Sequence, residues 1–421
     1  MLEKLRQIWY TKQLRKSILY VVGMLFVFRI AAHIPIPAVD VANLEAFFRS
    51  NQILGLLNIL SGGGIEKFSI VALGVGPYIT ASIIFQLLAM VIPKLEALSK
   101  EGEQGYQRIN QYTRIATVPL AVLQGYGLII LLTRSGANII GNLTPFQWIV
   151  TLASMTAGCV FLMWLGELIS EKKVGNGISL LIFAGIVAGL PSAFQQTIAT
   201  FDQTQLVNLI VLVLLGVVTI AGIVLLTQAQ RNIPVHYARR ATTFGSPRTY
   251  LPMRLNQAGM IPIIFAISII LFPPLVAQFF VNAQSVWITQ AAQWTIRFFQ
   301  GQLVYGILYF VLVIAFTYFY TSIIFHPDRV AENLQKQGGF VPGIRPGRAT
   351  ALHLQEVSSH LLLVGSVSLG LIAILPLITQ QFLGISTLAI GGAGLLIVVG
   401  VVLEIAQQIE AQLVMHRYDY S

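Results

Sequence analysis

Ten long apolar stretches, separated by polar connections, set the pattern of this chain. Each is close to the ~20 residues that a helix needs to cross about 30 Å of hydrocarbon. They cover residues 17–37, 73–93, 115–133, 147–169, 178–197, 206–228, 257–281, 302–325, 357–379 and 386–408. The pattern therefore predicts an all-α integral membrane protein with ten transmembrane helices.

Basic residues are divided unevenly between the two sides of this predicted bundle. When the connections are assigned alternately to two sides, nearly all lysine and arginine residues fall on the side that carries both chain ends. The exceptions are Arg29 within the first span and Arg49, Lys67, Arg134 and Arg297 on the other side. Because cytoplasmic loops are the ones enriched in these residues, we expect both termini to be cytoplasmic.

The composition supports a membrane protein. Hydrophobic residues make up 56% of the chain and charged residues only 10%, which excludes an ordinary soluble domain. The net charge of +10 lies mainly in the predicted cytoplasmic loops. Contact with anionic lipid and docking of a cytosolic partner are both open explanations for that charge. The single cysteine, Cys159, is predicted to be a small core residue of the fourth span.

Two of the predicted cytoplasmic connections are long. They cover residues 229–256 and 326–356, and the second contains a run from Gly338 to Arg348 that is rich in glycine and proline. Glycine and proline at this density prevent a long helix and fix a path of turns. We interpret the second loop as a structured tip that docks a large partner through Arg345. A solvated charged loop is the alternative.

A short apolar helix is predicted on the opposite side, between the first and second spans. Residues 53–60 are largely apolar but too few to cross a membrane, and Ser61 and the glycines at 62–64 follow them. Non-helical backbone at membrane depth is tolerated only where protein buries it or where it lines a water-filled cavity. The segment therefore indicates either a movable element in an outward-facing cavity or an interfacial anchor.

The predicted spans hold few ionisable groups. Arg29 and His33 lie in the first span, whereas pumps and ion-coupled carriers usually need acidic or histidine side chains at mid-depth. The sequence has no phosphate-binding loop, no paired carboxylates in the spans and no zinc-protease spacing. We therefore predict that the protein is not an enzyme and needs no metal or cofactor. A secondary transporter with inverted repeats is the less favoured alternative.

Several long motifs resemble the SecY family, the central channel subunits of the protein-conducting translocon. The resemblance runs from about Ser17 to Gln408. Its motifs include Asn58–Gly63 (NILSGG), Pro77–Ile84 (PYITASII), Lys100–Glu103 (KEGE), Gly175–Ser179 (GNGIS) and Phe340–Gly347 (FVPGIRPG). The resemblance implies a SecY-type channel of two pseudo-symmetric, inverted five-helix halves, here residues 1–200 and 201–421.

The resemblance also implies four groups of functional residues. The pore ring would consist of Val75, Ile79, Ile178, Ile182, Ile264 and Ile397, and the plug of Ile53, Leu54, Leu56, Leu57, Ile59, Leu60, Ser61, Gly62 and Gly63. The lateral gate would include Thr80, Ser82, Gln124 and Asn256, and the docking surface Arg345, Arg348, Arg239 and Arg240. The first two pairs of ring residues are each spaced i,i+4, so each pair lies on one helix face.

A mechanism and partners follow from the same resemblance. We expect a channel that translocates unfolded preproteins and releases transmembrane segments laterally, driven by a bound motor or ribosome. The expected partners are the membrane subunits SecE and SecG, the SecA motor ATPase, the ribosome, signal-sequence-bearing polypeptides and the lipid bilayer. The expected location is the bacterial plasma membrane, or the thylakoid membrane if the chain is cyanobacterial or plastid.

Overall fold

The computed structural model describes residues 9–37, 39, 43–44, 61, 63–65, 67–134, 139, 144–199, 206–237, 249–281, 283–383 and 392–419. The helices are α1 (Lys12–Ala31), α2 (Gly76–Val91), α3 (Pro93–Lys100), α4 (Glu103–Arg134), α5 (Pro145–Glu171), α6 (Gly177–Ala199), α7 (Leu206–Gln228), α8 (Ile261–Phe280), α9 (Val286–Gln300), α10 (Gln302–Ile324), α11 (Pro327–Lys336), α12 (Arg348–Leu383) and α13 (Gly392–Asp419). The strands are β1 (Gln230–Tyr237), β2 (Thr249–Arg254) and β3 (Gly339–Phe340).

Each of the ten predicted spans overlaps a helix: α1, α2, α4 to α8, α10, α12 and α13. Among the described residues, α4, α5, α8, α10, α12 and α13 are long and apolar enough to cross a membrane. Helices α2 and α3 form one bent pair, with an angle of 106°. The bend is at Ile92, whose extended backbone is the conformation favoured before a proline such as Pro93. The number of ten crossings stays a prediction.

The long loops add a small sheet to this helical fold. The strand order is β2-β1-β3 and both pairings are antiparallel, with Ile233 opposite Leu251 in the first. The all-α prediction is therefore incomplete in these loops. Proline argues against a central strand because it cannot donate to the ladder, yet Pro234 lies in the central strand β1 and Pro252 in its neighbour.

The chain forms two compact units. The first consists of Met1–Gln203, Ile267–Tyr305 and Ile385–Ser421, and the second of Thr204–Ala266 and Gly306–Gly384. This division rests on compactness, whereas the predicted halves at residues 1–200 and 201–421 rest on pseudo-symmetry. The predicted halves therefore stay a prediction.

Each unit has its own apolar cluster. In the first unit, the segment before α2 packs against α4 and α5. The fully buried side chains of this cluster include Phe68 from the segment, Ile129 and Leu132 from α4, and Met155 from α5. In the second unit, a smaller cluster joins the sheet to α12 and includes Ile233, Met253, Val341, Leu354 and Val357. The first cluster holds the segment that leads into α2, and the second holds the turn that carries Arg345.

Candidate channel and gate

The end of the predicted plug belongs to a bonded turn. Residues 53–60 and Gly62 lie outside the described residues, whereas Ser61 and Gly63 lie within them. Ser61 is buried, and its Oγ accepts a hydrogen bond of 3.2 Å from the backbone N–H of Ile65. This bond ties the end of the predicted plug to the chain that follows it.

The same turn is tied to the end of the first predicted span. The N–H of Ile36 donates to the carbonyl of Phe68 at 2.9 Å, and the N–H of Ile70 donates to that of Ile34 at 3.0 Å. Phe68 is fully buried although its φ of 43° lies in the left-handed region. Such a conformation costs about 1–3 kcal/mol, which the burial of its ring offsets. These bonds hold the turn at the end of the predicted plug against the end of the first predicted span.

Four predicted ring residues are buried in the first unit. Val75 immediately precedes α2, and its carbonyl accepts a hydrogen bond of 3.0 Å from the N–H of Ile79. Their side chains are 2% and 4% exposed. Ile182 on α6 and Ile397 on α13 are also buried, and these two helices pack against each other. All four are buried aliphatic side chains, as a closed aliphatic constriction requires.

Ile178 lies in a different setting, at the start of α6. Asn176 caps this helix because its Oδ1 accepts hydrogen bonds from the N–H groups of Ile178 (3.0 Å) and Ser179 (3.3 Å). The Cδ1 of Ile178 lies 2.6 Å from where a Cβ at Gly166 would be, so the side chain packs on α5. Ile264 is buried but belongs to the second unit. A meeting of all six residues at one constriction stays a prediction.

Two predicted gate residues are in contact. The Gln124 Nε2 on α4 donates to the Thr80 Oγ1 on α2 at 3.3 Å, and that hydroxyl donates to the Gly76 carbonyl at 3.0 Å. Ser82 instead accepts a bond of 3.0 Å from Gln86 on its own helix. Amide bonds between membrane helices contribute roughly 1 kcal/mol, so the Gln124 bond stabilises the packing of α2 on α4 without locking it.

Asn256 lies in the second unit, directly before α8. Its Nδ2 donates to the carbonyl of Gly259 at 3.0 Å and the residue is 8% exposed. Among the described residues its Oδ1 has no hydrogen-bond partner although it is buried. A buried acceptor without a partner costs about 1–3 kcal/mol.

An aromatic contact that sequence reasoning missed joins α4 to α8. The rings of Tyr126 and Phe279 stack with centroids 5.3 Å apart, and Tyr126 also contacts Trp148 at 5.5 Å. The helices can approach closely here because Gly127 has no side chain. A Cβ at Gly127 would lie only 3.0 Å from the Leu275 side chain. We call the stacked Tyr126–Phe279 pair the aromatic clasp. The resemblance places the gate between the second and third spans and the seventh and eighth, and the clasp joins the third to the seventh.

Removing the clasp should favour opening of the predicted gate. An aromatic pair contributes about 0.5–1.5 kcal/mol beyond its area burial, so Phe279→Ala should shift a gate equilibrium roughly 2- to 10-fold towards the open state. The measurement is export of a preprotein whose signal sequence is too weakly hydrophobic for the unsubstituted channel. Phe280→Ala is the matched control because Phe280 is 48% exposed. Equal export by the two variants would show that the clasp is structural only.

An ion pair holds the other end of α4. The Nε of Arg114 lies 2.6 Å from the Oε1 of Glu167 on α5, with both side chains partly exposed. Nearby on α4, Asn110 accepts a hydrogen bond of 3.3 Å from the Tyr78 hydroxyl of α2. The sequence alone gives no sign of this ion pair between α4 and α5. These contacts join α2, α4 and α5 into one packed group.

The predicted docking tip is an ordered turn between β3 and α12. Gly343 and Gly347 take φ values of 82° and 94°, which glycine adopts without strain. The Thr350 Oγ1 donates to the carbonyl of Arg345 at 2.9 Å and so holds the turn against the first turn of α12. The side chains of Arg345 and Arg348 are exposed. Both are available to a partner.

The tip rests on the apolar cluster of the second unit. Val341 is 4% exposed within that cluster, and Ile344 packs against it. The predicted docking residues Arg239 and Arg240 lie outside the described residues. The part of the chain that the structure describes has no group of three metal-binding side chains.

A family model described as SecY matches residues 69–406, most of the chain. The chain belongs to the SecY family. The protein translocase subunit SecY of Streptomyces coelicolor is 42% identical over 442 residues, covering 100% of this chain and 99% of that one. The SecY subunit of Halalkalibacterium halodurans is 41% identical over 431 residues, covering 99% of each chain.

Solved channel structures share the SecY-type fold with this chain. A protein-conducting channel matches with a TM-score of 0.64 and 17% identity over 93% of this chain and 91% of that one. Sec61 from a canine ribosome-channel complex matches with a TM-score of 0.60 and 17% identity, again over 93% of this chain and 91% of that one. The predicted SecY-type membrane fold is thereby confirmed. SecY-family membership also confirms the prediction of a channel subunit rather than an enzyme.

Proposed function

We infer that this chain is the channel subunit of a protein translocase. It passes unfolded preproteins across the membrane and releases transmembrane segments laterally into the bilayer. The observation that carries this inference is the 42% identity, over the whole chain, to SecY subunits of protein translocases. Membership of that family disfavours the alternative of a secondary transporter.

The geometry of the described residues suits such a channel. A ring of aliphatic side chains blocks ions by dewetting and deforms around a passing polypeptide, and Val75, Ile79, Ile182 and Ile397 are buried aliphatic residues. The clasp and the bond from Gln124 to Thr80 are weak contacts beside the gate. Weak contacts stabilise a closed state and still yield to a hydrophobic signal sequence.

We propose that Arg345 and the loop around it bind the energy source, a SecA motor or a translating ribosome. Support for the ribosome comes from the shared fold of canine Sec61 in its ribosome-channel complex and of the yeast Ssh1 complex bound to the 80S ribosome. SecE and SecG are the proposed membrane subunits. The bacterial relatives support the plasma membrane, and the distribution of basic residues supports cytoplasmic termini.

Cysteine crosslinking to an arrested preprotein tests the channel directly. Val75→Cys and Ile264→Cys should each form a disulfide with a single cysteine in the arrested chain, because both positions belong to the proposed ring. Leu214→Cys on α7 is the control, since Leu214 is 63% exposed on an apolar helix. The readout is the crosslinked fraction on a denaturing gel.

The expected result is at least a tenfold excess of crosslinking at both ring positions over the control. Crosslinking at neither position would overturn the ring assignment while leaving the family intact. Equal crosslinking at all three positions would place the polypeptide in contact with the outside of the bundle and contradict a central pore.

A further inference from the structure

Helix α9 has an exposed aromatic face. Trp287 is 77% exposed, Trp294 65% and Phe298 39%. Because these residues are spaced by seven and four positions, they lie in one stripe along the helix. The rings of Trp294 and Phe298 stack with centroids 5.1 Å apart. We call these three side chains the aromatic stripe.

The remaining faces of α9 are of two kinds. Ala292 is 5% exposed, so the face that carries it rests on the protein. Gln290, Gln293 and Arg297 are exposed. At 100° per residue these polar residues lie about 90° around the helix from the aromatic stripe, and the stripe points away from the face that Ala292 marks. The helix thus presents one face to protein, one aromatic face and one face that is polar except for the exposed Val286 at its start.

The chain around α9 determines where this helix can lie. Before it, only residues 281–285 separate it from α8, and after it only Gly301 separates it from α10. Both neighbours are apolar helices long enough to cross a membrane. Both ends of α9 are therefore held near the membrane surface at which those helices end. A 15-residue helix is about 22 Å long, so it must run along that surface.

We propose that α9 is an interfacial helix whose aromatic stripe lies in the headgroup region of the bilayer. Tryptophan is enriched at this depth because its ring is apolar while its N–H remains polar, and helices with one apolar and one polar face bind at the interface. Arg297 is the only charged residue of α9. The attraction is therefore mainly apolar, and a neutral bilayer should bind the helix as well as an anionic one.

The proposal adds a lipid contact to the gate. Helix α8 carries Phe279 of the clasp near its end, and α9 begins a few residues later. A helix seated in the interface would hold that end of α8 at a constant depth while the rest of α8 moves. This contact does not depend on polypeptide conduction, so its failure would leave the proposed function standing.

Spin labels on two faces of α9 test the proposal. The full chain, purified with its membrane partners, carries Trp294→Cys or the matched Gln293→Cys and is placed in nanodiscs of phosphatidylcholine. Cys159 is buried, so the unsubstituted chain serves as the labelling control. Collision of the label with oxygen reports apolar depth, and collision with a water-soluble nickel complex reports exposure to water.

The label at position 294 should collide with oxygen and be protected from nickel several-fold more than the label at position 293. Replacing a quarter of the lipid by phosphatidylglycerol should leave this ratio unchanged. Equal nickel access at both positions would overturn the proposal because the stripe would then lie in water. Protection of the label at position 294 from both oxygen and nickel would also overturn the proposal, because it would show that protein covers the stripe. Trp287→Cys, on the same stripe, provides the same readout if the first variant fails to fold.

Discussion

Replacing Arg345 by glutamate should reduce motor-driven translocation at least tenfold while the channel stays folded. The side chain of Arg345 is exposed, and the turn is held through its backbone carbonyl by Thr350, a bond that the substitution leaves in place. Disrupting a close charge pair that a partner desolvates costs about 2–5 kcal/mol. A tenfold loss corresponds to only about 1.4 kcal/mol, so the effect should be well resolved.

The measurement is the amount of preprotein that becomes protected from protease inside membrane vesicles supplied with the motor and ATP. Arg329→Glu is the matched control, since Arg329 is an exposed residue of α11 in the same loop and the change in net charge is identical. Equal translocation by the two variants, at the level of the unsubstituted channel, would mean that the charge of the tip serves only membrane topology and not docking. A loss in both would indicate a general effect of charge on the loop.

Deleting residues 54–60 should make the resting channel leak ions. The deletion removes most of the predicted plug but keeps its last residues, including Ser61, whose hydroxyl accepts a hydrogen bond from the N–H of Ile65, and the turn that ties Phe68 to Ile36. The protein should therefore insert and fold while its closed state loses a seal. Conductance across a planar bilayer, with no preprotein present, should rise at least severalfold.

A substitution that keeps the segment in place provides the control. Leu57→Ile preserves length and apolar character, so the conductance of this variant should match that of the unsubstituted channel. Unchanged conductance in the deletion variant would support the alternative of an interfacial anchor for residues 53–60.

The sequence was most informative about the long helices. An apolar run of about 20 residues has few alternatives to a membrane helix because lipid offers the backbone no hydrogen-bond partners. Every predicted span accordingly overlaps a helix. Helix α9 was missed because Gln290, Gln293, Arg297 and Gln300 lower its mean hydropathy. Its one-sided pattern at a spacing of 3.6 residues was the signal that could have revealed it.

Contacts between distant residues could not be read from the sequence. Gln124 was predicted to belong to the gate, but its bond to Thr80 depends on how α2 packs against α4. The clasp depends on the missing side chain of Gly127, which no local pattern distinguishes from other glycines of the spans. The i,i+4 spacing of Ile178 and Ile182 predicts that Ile178 belongs to the ring, and that role stays a prediction. The packing of Ile178 against Gly166 of α5 depends on tertiary structure, which the spacing does not reveal.

The three-stranded sheet has a mechanical consequence. Strand β1 continues from α7, β2 leads to Asn256 and α8, and β3 carries the turn of Arg345. The N–H of Leu255 also donates to the carbonyl of Ala229 at 2.8 Å, which closes the base of the β1–β2 hairpin. A load on Arg345 would therefore be transmitted through the sheet to α7 and α8 as well as to α12, which follows the turn. The sheet thus connects the predicted docking turn to the segment that carries Asn256, a predicted gate residue, into α8.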